Sequence, residues 1–401
     1  MQQHPNVTVV TEIMESFADA TGLCSPTSDP RRYLWTDAFA VCNFLELYRE
    51  TGAPKYLLFA TDLVNQVHET LGKHRRDDPR QGWISGLDAI AGKAHPTRAG
   101  LRIGKKLSER KPDEPFDEHL EWERDGQYYH YLTKWAHALC QMATVTGDPV
   151  YRLWAAELSQ TMHRGFVHAE RQGKPKRLFW KMSIDLSVPQ VPSMGHHDPL
   201  DGFVTCHEVA RISDNQTDFD LSAEINDLAE MCQHQSWATG DPLGVGGLLF
   251  DAHRMLQMAA VGFEVDTDGL IADVLQSAAA GLDFFLAQGG LNDRAEQRLA
   301  FRELGLSIGL HGVPGMRAFL EAIADFDGYD VLEAQLTKLM PSVHVAKSIE
   351  EFWLNPANRK CASWQGHEDI NMVMLATSLA PAGFLDLHLL QRAGWLGAAG
   401  Q

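Results

Sequence analysis

Two kinds of helical pattern alternate along this 401-residue chain, and that alternation limits what it can fold into. One kind is apolar on nearly all sides and rich in Gly and Ala: residues 35–48, 127–145, 199–212, 243–261, 299–311 and 369–380. The other is amphipathic with one charged face: residues 54–71, 149–164, 221–234, 268–287 and 329–340, with the N-terminal segment 7–20 as the sixth. A helix that is apolar all round must be covered on both sides, whereas an amphipathic one keeps a wet face. Almost no segment shows the period of two expected of a strand. The pattern predicts an all-α fold, an (α/α)6 barrel in which inner helices are surrounded by outer ones and the N-terminal helix closes beside the last inner one.

The hairpins carry a repeat at the inner-to-outer turn: Thr51–Gly52–Ala53–Pro54–Lys55–Tyr56 and Thr146–Gly147–Asp148–Pro149–Val150–Tyr151. Gly ends one helix in a left-handed cap and Pro begins the next. One domain spanning 1–401 is expected. The links into the inner helices vary in length, and uneven loops on a regular scaffold build binding sites. The longest, residues 72–126, contains Trp, Gly, His and basic residues and reads as an ordered, lid-like insertion. A second link, 165–198, holds RLFWKMSIDLS, which suits a small β-hairpin at the same rim.

Charge narrows the ligand. Lys and Arg total 35 against 53 Asp and Glu, a net charge of −18. Such a field repels phosphate backbones and anionic lipid, so neither nucleic acid nor membrane is an expected partner. The densest basic stretch, Arg98 to Arg110 with Arg102, Lys105 and Lys106, leaves room for a local pocket for an anionic sugar. The six cysteines are scattered, with no C-x-x-C pair, and read as reduced thiols. No apolar run approaches the ~18 residues of a membrane span, and MQQHPNVTVV lacks the pattern of a signal peptide. A cytoplasmic protein is expected, its oligomeric state open, with a homo-oligomer allowed.

In a ring of this kind the polar segments preceding the inner helices gather at one mouth, where free N–H groups and helix dipoles favour oxygen-rich ligands. These segments mix carboxylates, histidines and aromatics, as sugar handling requires. Asp37, Asp125, Asp201 and Glu368 are the expected catalytic carboxylates, one of the first two working opposite one of the last two across a glycosidic bond. His197 and His367 would bind or polarise substrate. Trp35, Trp83, Tyr128, His130, His196, Arg124 and Trp364 complete the expected binding surface. Asp37 and Asp125 also suit helix N-capping, and Trp35 and Trp83 also suit core filling. His137 and His253, inside inner helices, read as core histidines. No H-E-x-x-H, G-x-G-x-x-G or P-loop pattern is present, so neither metal nor cofactor is expected.

With its alternating helices, its TG-x-P-x-Y turns and polar segments such as YLWTD and ERDGQYYHYLTKW, the chain resembles the six-hairpin glycosidase-like superfamily. The resemblance implies a small saccharide as ligand and a site at the inner-helix entrances. It favours a glycoside hydrolase with paired carboxylates. Gly366–His367–Glu368 partly resembles a segment of the N-acylglucosamine 2-epimerase family. The alternative is therefore a sugar epimerase or isomerase using a histidine pair, His197 and His367. A non-catalytic sugar-binding protein is the third reading.

Overall fold

A computed structural model describes residues 5–24, 30–111, 113–169, 176–212, 219–233, 235–266, 268–323, 326 and 328–388. Parts of the expected N-terminal segment (1–4), of the long link (112), of the second link (170–175) and of the outer segment 221–234 (residue 234) lie outside the described residues. The protein is all-α, and it divides into two compact units: Ala18–Cys232, and Met1–Phe17 together with Gln233–Gln401.

Helix α1 (Val7–Ala20) opens the chain. The Ala18–Cys232 unit then holds α2 (Leu34–Thr51), α3 (Pro54–Leu71), α4 (Ala89–Ala94), α5 (Glu118–Glu123), α6 (Tyr129–Thr146), α7 (Pro149–Phe166), α8 (Asp198–Ile212) and α9 (Ser222–Gln233). Both TG-x-P-x-Y turns fold alike. Gly52 and Gly147 take φ of 67° and 71°, which favours glycine. Thr51 and Thr146 donate back to the carbonyls of Leu47 and Met142 and accept from the N–H of Ala53 and Asp148. Tyr56 and Tyr151 are buried beneath them.

Five short strands accompany these helices: β1 (Gln127–Tyr128), β2 (Val167–His168), β3 (Arg177–Leu178), β4 (Lys181–Met182) and β5 (Pro189–Val191). β1, β4 and β5 form one antiparallel sheet, with Tyr128 opposite Lys181, and β2 pairs with β3. The RLFWKMSIDLS segment is thus split between two sheets, and its β4–β5 hairpin is tied to the start of α6.

The other unit contains α10 (Pro242–Ala260), α11 (Leu270–Ala287), α12 (Ala300–Ala322), α13 (Tyr329–Leu339), α14 (His344–Leu354), α15 (Ala362–Gln365), α16 (Glu368–Leu379) and α17 (Ala382–Leu385). Within it, the Asn6 amide just before α1 donates to Leu379 O, so the first helix does meet the last inner one. α10 and α12 pack backbone to backbone: a Cβ on Gly246 would stand 2.3 Å from Gly305 O.

All twelve expected helices are present among the described residues, one of them longer than expected, and the short helices α4, α5, α15 and α17 add to them. The helix expected to end at 311 runs through Pro314 to Ala322. A proline removes one helical hydrogen bond, and burial of the surrounding turns offsets that loss. Helix α14 was not expected; Val345, Ala346, Ile349 and Trp353 bury its apolar stripe against α12 and α16. α11 is long and apolar enough to cross a membrane by length and composition, which corrects the view that no such run exists; it packs on α10 and α13, with Asp273 and Asp283 in its sequence.

Candidate functional site

The long link of the Ala18–Cys232 unit is held by buried charge. Asp125, fully buried, accepts from Arg102 at 2.5 Å and Arg75 at 3.4 Å, and from the backbone N–H groups of Gly104, Lys105 and Gly126. Arg75 and Arg102 also donate to backbone carbonyls, of Lys105 and Lys73 respectively. Leu101 and Ile103 lie fully buried beside this network. The link is an ordered part of the unit.

Several expected site residues take structural places. Asp125 spends its lone pairs on that network. Asp37 reaches back to the N–H of Tyr33 at 2.9 Å and pairs with buried Arg32, so it serves the start of α2. Trp83 is buried against Gly92 with Lys73 over its ring. Trp35 is buried against Phe39 at 4.5 Å. Arg124 is paired with Glu114 at 2.7 Å. His137 is bound to buried Glu208, and His253 to Gln257. In the other unit, Trp364 is buried and stacked on Trp353, while His367 and Glu368 are exposed, His367 with its ring edge-on to Phe301.

What α6 and α8 bring together is different. His130, in the first turn of α6, points its Nδ1 at Asp198 Oδ1 of α8, 3.7 Å away and beyond hydrogen-bond length. One turn along α8, Asp201 is paired with Lys134 of α6 at 2.5 Å and accepts from Thr133 at 2.5 Å. Asp198 is 5% exposed, and its Oδ2 has no hydrogen-bond partner. Gly195 lies over it: a Cβ there would stand 2.1 Å from that same oxygen. His196 and His197, rings 4.7 Å apart, complete the turn into α8.

These surroundings fix protonation. Burial first, and the charge of Asp201 second, push the Asp198 carboxyl up to about 8. Burial lowers the His130 imidazole to about 4. Yet the His130 side chain keeps 37% of its surface exposed. The ring is therefore packed by protein atoms on one side and open to solvent on the other. Both shifts favour the uncharged forms, so a carboxyl and an imidazole that resist ionisation stand one helical turn from the Asp201–Lys134 ion pair.

Aromatic rings line the approach. Tyr131 stands edge-on to His130 at 4.7 Å and to Tyr128 at 5.0 Å, and its hydroxyl bonds Tyr33 at 2.7 Å. Trp180, beside β4, packs on Tyr128 at 4.9 Å and on exposed Trp122 at 5.3 Å. Tyr33, Tyr131 and Trp180 are half-exposed, whereas Tyr128 is buried behind them with an unpartnered hydroxyl. Sequence reasoning chose His130, Asp201 and Tyr128 but did not place Asp198 among the site residues. Its partner lies 68 residues away on another helix, and no local signal announces that pairing.

A separate cleft of about 580 Å³ lies along α11, lined by Trp237, Gln276, Phe284 and their neighbours. It holds one carboxylate, Asp273, and no histidine. Among the described residues no group of three or more His, Cys, Asp or Glu side chains is placed to hold a metal ion.

No family model and no curated protein matches this chain. Solved structures do resemble it. A D-mannose isomerase is similar over 84% of this chain and 97% of its own, at 11% identity and a TM-score of 0.44. The cellobiose 2-epimerase of Spirochaeta thermophila DSM 6192 is similar over 94% and 99%, at 11% identity and a TM-score of 0.46. A sugar epimerase from a ruminal bacterium is similar over 93% and 98%, at 8% identity and a TM-score of 0.47. At such low similarity, the functional reading rests on the chain's own side chains.

Proposed function

We propose that this protein is a carbohydrate-active enzyme of the isomerase or epimerase class, with His130 and Asp198 as its acid–base pair. The observation that carries this reading is the pair itself: His130 and Asp198 stand 3.7 Å apart with Tyr131 edge-on to the imidazole, and burial lowers the imidazole to about 4 and raises the carboxyl to about 8. The imidazole takes the proton from the carbon beside a sugar carbonyl. Asp198 gives its own proton to the carbonyl oxygen, producing a neutral enediol. The resulting imidazolium and carboxylate stand side by side, so each offsets the charge of the other. For isomerisation the imidazolium protonates the neighbouring carbon while the Asp198 carboxylate takes the hydroxyl proton from the carbon that first lost its hydrogen; for epimerisation the enediol turns over, the original carbon is protonated on its other face, and Asp198 takes back the proton it gave.

Half-exposed Tyr33, Tyr131 and Trp180 supply flat apolar faces for the C–H side of a pyranose. This reading displaces the hydrolase scheme, because Asp37, Asp125 and Asp201 are each neutralised by a cation and further hydrogen bonds. It also moves the acid–base pair away from His197 and His367. The test is incubation of aldoses and ketoses with the enzyme in heavy water, followed by NMR. Deuterium should enter at C1 or C2 without release of sugar from glycosides. Glycoside cleavage with no exchange at carbon would reject the proposal.

A further inference from the structure

Lys105 is half-buried, and its ammonium has no carboxylate partner among the described residues. Its setting makes that unusual. In the same unit Arg32, Arg75, Arg102, Arg110, Arg124, Lys134 and Lys181 each have one. Nor is Lys105 a lysine on a loose loop. Its N–H donates to buried Asp125, and its carbonyl accepts from Arg75 at 2.6 Å. The preceding Gly104 sits at φ 94°, where a Cβ would stand 2.3 Å from Arg32 O, so the backbone is fixed from both sides. The ammonium lies over the Tyr33 ring, 5.5 Å from its centre. Tyr33 bonds Tyr131, and Tyr131 touches His130. A continuous aromatic surface thus leads from the cation to the reacting pair. Lys181, another cation near Lys105, is fully buried and spent on Glu121 and backbone carbonyls, as Arg75 and Arg102 are on Asp125. In a chain of net charge −18, a half-buried ammonium on a fixed backbone, beside the Tyr33 ring and without a carboxylate partner among the described residues, suits an anionic group.

We propose that Lys105 receives an anionic substituent of the sugar, a carboxylate or a phosphate, and so selects charged monosaccharides over neutral ones. The proposal rests on the reading of the His130–Asp198 pair and its aromatic neighbours as the sugar site, and it deepens that reading by naming the substrate class. Calorimetric titration with glucose, glucuronate, glucose 6-phosphate and inorganic phosphate tests it without requiring turnover. One or both charged sugars should bind roughly ten- to a hundredfold more tightly than glucose, the value of one charge-assisted hydrogen bond. Whichever does so tells carboxylate from phosphate. In Lys105→Gln that ratio should fall to near one, and in Lys105→Arg it should persist, which separates lost charge from lost folding. A wild-type protein that binds neither charged sugar, prefers glucose, or takes inorganic phosphate as tightly as any sugar overturns the proposal, as does an unchanged ratio in Lys105→Gln. Failure of deuterium exchange would instead remove the acid–base reading and leave the binding ratio intact.

Discussion

Asp198 owes its proton to two neighbours, the protein wall and Asp201, and both effects can be tested at the level of the residue. Asp198→Asn should keep the fold and lower kcat for isotope exchange by about 10²–10⁴-fold, the usual contribution of a positioned acid–base group. Its effect on stability has a definite sign. A carboxyl raised from its ordinary 3.8 to about 8 in the folded state binds its proton more tightly there than in the unfolded chain. The stability it contributes is fully present below about 3.8 and is lost as pH rises through about 8. Thermal melts of Asp198→Asn should therefore gain on wild type between pH 4 and pH 9; a constant difference in Tm would show that Asp198 is not protonated in the native protein. Sequence alone placed His130 and Asp201 among the candidates. It could not weigh Asp198 because burial, not residue type, makes that carboxyl an acid.

Single elements carry the next predictions. The turn into α8 lets Gly195 approach Asp198, so Gly195→Ala should displace the carboxyl and impair exchange while far-UV circular dichroism stays unchanged. Between α10 and α12 the contact is backbone on backbone, and Gly246→Ala should cost about 1–3 kcal/mol in urea denaturation. Gly244, Gly246 and Gly247, in an otherwise apolar helix, are the sequence feature that permits this close packing. Arg102→Met would leave Asp125 buried with much of its compensation gone, at a cost of about 3–5 kcal/mol; a smaller loss than in Asp125→Asn would contradict the anchoring role. The twelve helices were legible because their apolar periods are long. α14 was passed over within a polar-looking link, although Val345, Ala346, Ile349 and Trp353 share a helical face.

For the whole molecule, the charge of −18 dominates what can approach it. At pH 7 and low salt the protein should flow through immobilised heparin; retention would mean that the basic stretch around Lys105 outweighs the total field. The two compact units carry different parts of the expected chemistry. Asp37, Asp125, His130, His197 and Asp201 fall in one, while Trp364, His367 and Glu368 fall in the other. The first of these contains the His130–Asp198 pair and its aromatic approach.

Periodicity alone determined the helices, their alternation and the cap chemistry of their turns, because those depend on residues three or four apart. Charge totals likewise needed no coordinates. Which carboxylates are spent and which is poised was decided by tertiary structure. Asp125 meets Arg102 across a loop, Asp201 meets Lys134 across two helices, and Asp198 is buried near the charge of Asp201 with an imidazole 3.7 Å away. Desolvation and pairing act through space, so chemically identical side chains acquire opposite roles once the chain has folded.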